Sequence, residues 1–205
     1  MAELHLSSDE GILLSKPAYT RQYDYIGSMA EKPGGVQDNG GVYLHPAAWK
    51  LAADAMLKKN DKVEENLKKM LPFDNDYYET KGEPYCMFNC YYLDYHGYRK
   101  GTPGQSWRTG TNGWLLKSTV MYIFGLVPEP KGLKLNPCLP ASWKECSITK
   151  LFRGCTYNIK YIQTGNGHNN RISRIIVNGQ EKQYINNTIP SIEGQILDIM
   201  VYLET

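Results

Sequence analysis

The sequence predicts a fold that is mainly α followed by β, with the change near Pro128-Glu129-Pro130. Two observations carry this. Ahead of that point, apolar residues recur every three or four positions, the spacing of one helix face. Beyond it they alternate, the spacing of one sheet face. Helices that follow one another as antiparallel hairpins imply a bundle, a solenoid or a toroid. Alternating strands joined by tight turns imply a small antiparallel sheet or a sandwich. Two domains are expected, 1–130 and 131–205.

The elements follow in order. Residues 1 to 45 are rich in turn formers, with Pro33-Gly34-Gly35 and Asn39-Gly40-Gly41 among them. A first helix begins at Pro46, which suits a first turn, and Trp49, Ala52, Ala53, Met56 and Leu57 form its stripe. Asn60 is expected to end it. Asp61 and Glu64 have the spacing of a capping box for a second helix carrying Val63, Leu67 and Met70, closed by Pro72. A third helix is expected from Glu83-Pro84, with Tyr85, Phe88, Tyr91, Tyr92 and Tyr95 along it. A fourth follows Thr109-Gly110-Thr111, runs through Trp114, Leu115, Met121 and Phe124, and stops by Gly125. In the β part, Cys155, Tyr157, Ile159 and Tyr161 alternate with polar neighbours, and Ile172 to Val177 forms another strand. Asn178-Gly179 is a hairpin turn signal. Leu197, Ile199, Val201 and Leu203 line one face of a last strand.

Composition narrows the function classes. Formal charge is +2 and the basic residues are scattered, so no strong field draws the chain to nucleic acid or to a membrane surface. Sixteen tyrosines offer rings with a polar edge, which suit a core and also suit sugars. Five cysteines occur without C-x-x-C spacing or a Cys/His cluster. An odd cysteine count, with no basic-then-apolar start and no long apolar run, suggests reduced thiols and a cytoplasmic protein.

Three loop-to-helix junctions place polar groups where free N–H donors and the helix dipole favour an anion. The first, Asp38-Asn39-Gly40-Gly41 through His45-Pro46, has paired glycines that let backbone approach a ligand. Its His45 fits either a helix cap or a donor to a phosphate oxygen. The second, Ser106-Trp107-Arg108-Thr109-Gly110-Thr111, offers a hydroxyl and backbone N–H groups at a helix start. These read as an ordinary threonine cap or as a phosphate cradle. It lacks the lysine and glycine spacing of a P-loop. The third, Glu83-Pro84-Tyr85 with Asn89 further on, sets a carboxylate where it favours the dipole or accepts from a sugar hydroxyl.

The order and wording of these stretches resemble a known family. Asp9-Glu10-Gly11-Ile12, Pro17-Ala18-Tyr19-Thr20, Asp38 to Trp49, Glu83-Pro84-Tyr85 and Ser106 to Trp114 look like the C-terminal third of the inverting glycoside phosphorylases typified by cellobiose and chitobiose phosphorylase. Asn136-Pro137-Cys138-Leu139-Pro140, Trp143 and Phe152-Arg153-Gly154 extend the likeness into the β part.

The resemblance implies the last helical hairpins of an (α/α)6 toroid plus a small C-terminal antiparallel β domain. It implies cleavage of a β-linked disaccharide or oligosaccharide by inorganic phosphate, with inversion, to an α-sugar 1-phosphate. Phosphate would be a co-substrate, and no cofactor or metal is expected. His45, Thr109 and Gly110 match the family's phosphate-binding positions. Asp38, Glu83 and Asn89 are sugar-binding candidates, Asp38 standing for a glutamate and Asn89 for a glutamine. The family's general acid, an aspartate, and a phosphate-binding arginine are expected upstream, so no catalytic residue is assigned here and Asp38, Glu83 and Asp94 are not promoted to the role. Partners are then the missing N-terminal part of the toroid or a second copy in a homodimer. The alternative is a non-catalytic carbohydrate-binding or structural relative.

Overall fold

The structure, a computed structural model, describes residues 6–20, 24–71, 82–83, 86–93, 100–107, 109–165 and 171–204. The chain divides into two compact units, neither contiguous in sequence. One takes Met1–Lys50 and Glu65–Leu116, the other Leu51–Glu64 and Lys117–Thr205.

In the first unit, short strand β1 (Val42–Tyr43) pairs antiparallel with β2 (Cys90–Tyr91), and β2 with β3 (Pro103–Gly104). β1 runs directly into helix α1 (Leu44–Met56). Its buried side is Leu44, Ala47, Ala48, Leu51, Ala52 and Ala55, whereas Trp49 and Met56 are exposed, as is Leu57 just past its end. Of the expected stripe only Ala52 is buried. Alanines pack closely and leave room for large neighbours, so size is a poor guide to the inner face here.

Lys58 ends α1. It has φ 58°, the Lys58 N–H donates to the Ala55 carbonyl at 3.1 Å, and the Lys59 N–H to that of Asp54 at 3.0 Å. These are the two bonds of a Schellman turn, with lysine in the left-handed position usually given to glycine. Asn60, expected to close this helix, opens the next one, α2 (Asn60–Met70). Its side-chain Nδ2 is buried and donates to the Leu139 carbonyl at 2.6 Å. Val63, Leu67 and Met70 are buried along α2, as their spacing predicts. Helix α3 (Thr111–Ser118) widens into a π turn over Thr119–Ile123. The helical run stops ahead of Gly125, where φ is 70° and a Cβ would lie 2.1 Å from the Asn136 carbonyl carbon.

The helix expected from Glu83 to Tyr95 is absent from the described part of that stretch. Cys86, Met87, Phe88, Asn89, Cys90 and Tyr91 are buried consecutively, and Cys90–Tyr91 is the central strand of its sheet. A helix at the edge of a fold exposes one side every turn; six buried residues in a row suit extended chain covered on both faces. Tyr85, Asp94 and Tyr95 lie outside the described residues.

The second unit holds two sheets. β4 (Leu126–Glu129), β5 (Gly132–Leu135) and β10 (Thr188–Pro190) form an antiparallel sheet with β5 in the middle. β6 (Glu145–Phe152), β7 (Cys155–Gln163), β8 (Arg171–Val177), β9 (Gln180–Glu181) and β11 (Ile196–Glu204) form a five-stranded sheet in the order β6-β7-β11-β8-β9. The β8–β9 turn is Asn178-Gly179, with φ 50° and 77°, as predicted. Cys155, Tyr157, Ile159 and Tyr161 on β7, and Leu197, Ile199, Val201 and Leu203 on β11, are buried as alternation predicts. The sheet is mixed rather than antiparallel, because β11 lies parallel to β7 and antiparallel to β8.

These findings overturn the expected fold class. Strand outweighs helix among the described residues, and a series of helical hairpins closing an (α/α)6 toroid before a small β domain is not what the chain forms. Among the described residues, strand stands where the third helix is expected, and eleven strands in three sheets replace the minor β appendage.

Candidate phosphate and sugar site

His45 is the second residue of α1, set by the continuous run from β1 into the helix. The preceding Leu44 N–H donates to the Asn89 carbonyl at 2.8 Å, and the Asn89 N–H donates to the Gly104 carbonyl at 3.1 Å. One backbone segment therefore ties the start of α1 to the β2–β3 region. The same segment reaches α3: the buried Thr111 hydroxyl donates to the Phe88 carbonyl at 3.3 Å.

The imidazole of His45 lies against Gly110. A Cβ at that position would sit 2.8 Å from Cε1 and 3.2 Å from each ring nitrogen, so only glycine fits without displacing the ring. Trp49, one turn along α1, meets the imidazole edge-on at 4.9 Å, and Trp114 meets Trp49 at 5.7 Å. Nε2 of His45 is buried and has no hydrogen-bond partner among the described residues. A buried polar nitrogen left without a partner costs about 1–3 kcal/mol, so such an atom invites a ligand.

Thr109 stands beside it at the head of α3. Its Oγ1 accepts from the Thr111 N–H at 3.1 Å and lies 2.6 Å from the Thr111 hydroxyl. The Thr111 proton can go to the Phe88 carbonyl or to Thr109. In the second arrangement the Thr109 proton is released toward any acceptor at the helix head.

The sugar candidates divide. The Asn89 side chain is buried, next to the backbone that positions His45. Glu83 faces the loop before α3: its carboxyl is held below its ordinary value of 4.5 by the Ser106 hydroxyl, then by the Cys86 thiol and the Trp107 side chain. The Cys86 Sγ lies 3.5 Å from Glu83 Oε2. Asp38 is ion-paired with Lys32 at 2.5 Å. The adjoining glycines serve the loop itself. A Cβ on Gly40 would meet Ala18 at 2.9 Å, and one on Gly41 would meet the Gln37 nitrogen at 2.7 Å. Asn39 clasps the same loop, accepting from the Tyr19 N–H at 2.7 Å and donating to the Tyr19 and Lys32 carbonyls. The sequence reading expects these glycines to let backbone approach a ligand; among the described residues what approaches them is the chain itself.

The structure thus brings together His45, Asn89, Thr109 and Gly110. Sequence reasoning missed Lys32 as the partner of Asp38, and Ser106 and Trp107 as partners of Glu83. It also missed the Trp49–Trp114 pair, whose signal was the position of Trp49 four residues after His45, on the same helix face. Among the described residues, no group of His, Cys, Asp and Glu side chains is placed to hold a metal ion, and no helix is long and apolar enough to cross a membrane. All five cysteines are free.

Comparison with known proteins matches residues 2–125 to the catalytic domain of the glycosyl hydrolase 94 superfamily. The chain is 31% identical over 198 residues to the N,N'-diacetylchitobiose phosphorylase of Vibrio furnissii, covering 96% of this chain and 24% of that protein. It is 30% identical over 178 residues to the solabiose phosphorylase of Paenibacillus borealis, covering 86% of this chain and 23% of that protein. A 3-O-beta-D-glucopyranosyl-beta-D-glucuronide phosphorylase of the same organism is 26% identical over 201 residues, 97% of this chain and 26% of that protein. The chain spans about a quarter of the length of these relatives.

Proposed function

Since the chain belongs to the glycosyl hydrolase 94 superfamily, we propose that it supplies the phosphate-binding side of a phosphorylase acting on a β-linked disaccharide or oligosaccharide. The observation that carries this is the buried, unpartnered Nε2 of His45, pressed against Gly110 at the head of α3. In this reading an imidazole N–H, the Thr109 hydroxyl and the Gly110 N–H are the donors offered to a tetrahedral oxyanion. Asn89, and more peripherally Glu83 and Asp38, stand on the sugar side.

In this reading a phosphate oxygen attacks the anomeric carbon as the glycosidic C–O bond breaks. A carboxylic acid gives its proton to the leaving oxygen, and the configuration inverts to an α-sugar 1-phosphate. Phosphate is already nucleophilic, so these residues orient it and offset its charge. The acid, and an arginine to share the phosphate charge, come from outside these residues, in the rest of the catalytic domain or a partner polypeptide. Five free thiols suit a cytoplasmic setting.

Titration with inorganic phosphate, followed by 31P line broadening and calorimetry, tests the reading. Wild type is expected to bind, and His45→Ala and Thr109→Ala each to weaken binding about tenfold, the loss of one charge-assisted bond, with circular dichroism unchanged. Absence of phosphate binding, or equal binding by both variants, would sink it.

A further inference from the structure

We propose that Trp49, braced by Trp114, is a positioning residue that holds the His45 imidazole against Gly110 and so keeps Nε2 aimed at phosphate. The inference rests on the phosphate-binding reading above and adds to it what keeps its histidine in place.

The contacts close on themselves. From Gly110, at the head of α3, they pass to the His45 ring, which lies where a Gly110 Cβ would come within 2.8 Å of Cε1. From His45 they pass to Trp49, four residues on and on the same face of α1, edge-on at 4.9 Å and 63°. From Trp49 they return to α3 through Trp114, edge-on at 5.7 Å and 80°. The Trp114 N–H then donates to the Gly110 carbonyl at 3.3 Å. His45 and Gly110, two of the residues read as phosphate-binding, thus belong to one closed loop of contacts with the two tryptophans.

A histidine with a buried, unpartnered Nε2 gains a hydrogen bond by turning its ring out to water. Gly110 has no side chain to oppose that turn. It makes room for the ring without holding it. The edge contact with Trp49 does oppose it, and Trp114 in turn backs Trp49. Trp49 is 49% exposed, so burial of the indole does not account for its place there. Edge-to-face contacts orient both rings, through the attraction of ring-edge hydrogens for a π face. Nε2 therefore meets phosphate already oriented, and ordering the ring takes nothing from binding.

NMR and calorimetry on the whole chain, with inorganic phosphate as the probe, test this. In phosphate-free wild type an NOE is expected between His45 Hε1 and the Gly110 Hα protons. Trp49→Ala should lose it and bind phosphate about threefold to tenfold more weakly, the contribution of one aromatic pair. Trp49→Phe, which keeps a ring edge, should retain the NOE and stay within about twofold of wild-type affinity. In a His45→Ala background, Trp49→Ala should bring no further loss, because its effect runs through the imidazole. An NOE that persists in Trp49→Ala overturns the inference. So does phosphate affinity that Trp49→Ala leaves unchanged, or a loss just as large in the His45→Ala background. Should Trp49→Ala fail to fold, Trp49→Leu carries the same two readouts. A wild type that shows the NOE, loses it in Trp49→Ala and binds no phosphate would fail the phosphate reading and leave the brace standing.

Discussion

Individual residues here are set by partners far away in sequence. Glu83 is an example with a pH signature. Its carboxyl is held below 4.5, first by the Ser106 hydroxyl and then by Cys86 and Trp107. A carboxylate whose folded pKa is depressed contributes stability above its unfolded value, and that contribution fades as pH falls through the folded value. Acidification from about pH 5 to about pH 3 should therefore lower the Tm of wild type more steeply than that of Glu83→Gln. Parallel Tm–pH curves for the two proteins would remove the carboxylate from any such role. His45 shows the limit of reading residues singly. Its spacing from Pro46 marked a helix start, but nothing in the local sequence says that Gly110 closes over its ring.

Elements with local causes were legible, and elements with distant causes were not. The Asn178-Gly179 hairpin and the alternating β7 and β11 were read correctly because each signal lies within a few residues. The Cys86–Tyr91 stretch was misread because aromatic residues three and four apart mimic a helix face, whereas the pairing that makes it a strand comes from Val42–Tyr43 and Pro103–Gly104. The end of α1 was misplaced for a related reason: lysine, not glycine, takes the left-handed position. Its Nζ donates to the Asn136 carbonyl at 3.0 Å and the Pro137 carbonyl at 2.7 Å. The left-handed backbone costs about 1–2 kcal/mol, and a hydrogen bond from a charged group contributes about 1.5–3 kcal/mol. With two such bonds the side chain outweighs the strain. Lys58→Gly should thus lower Tm by about 2–6 °C. A rise in Tm would mean that the two carbonyl contacts contribute little.

Across the whole molecule the two units interleave along the chain, since Leu51–Glu64 belongs with Lys117–Thr205. That helical stretch is bonded to the Asn136–Ser142 loop three times over: through Lys58, through Asn60 to Leu139, and through Glu64 to the Ser142 N–H at 3.0 Å. A chain cut at residue 130 would strand the buried Asn60 amide, whose acceptor is the Leu139 carbonyl. Residues 1–130 alone are expected to lose cooperative thermal unfolding and to be cleaved by protease within 51–64. A sharp transition and a protected 51–64 would show that the stretch stands without its loop. The five-stranded sheet carries a further consequence, for the order in which the protein takes shape. β11 lies between β7 and β8, yet follows both in sequence. As the ribosome extends the chain, the β6–β7 and β8–β9 hairpins can close early, but each keeps an unpaired edge facing the place reserved for a strand not yet made. The keystone arrives last, and a stalled or prematurely ended translation leaves two sticky half-sheets in its place.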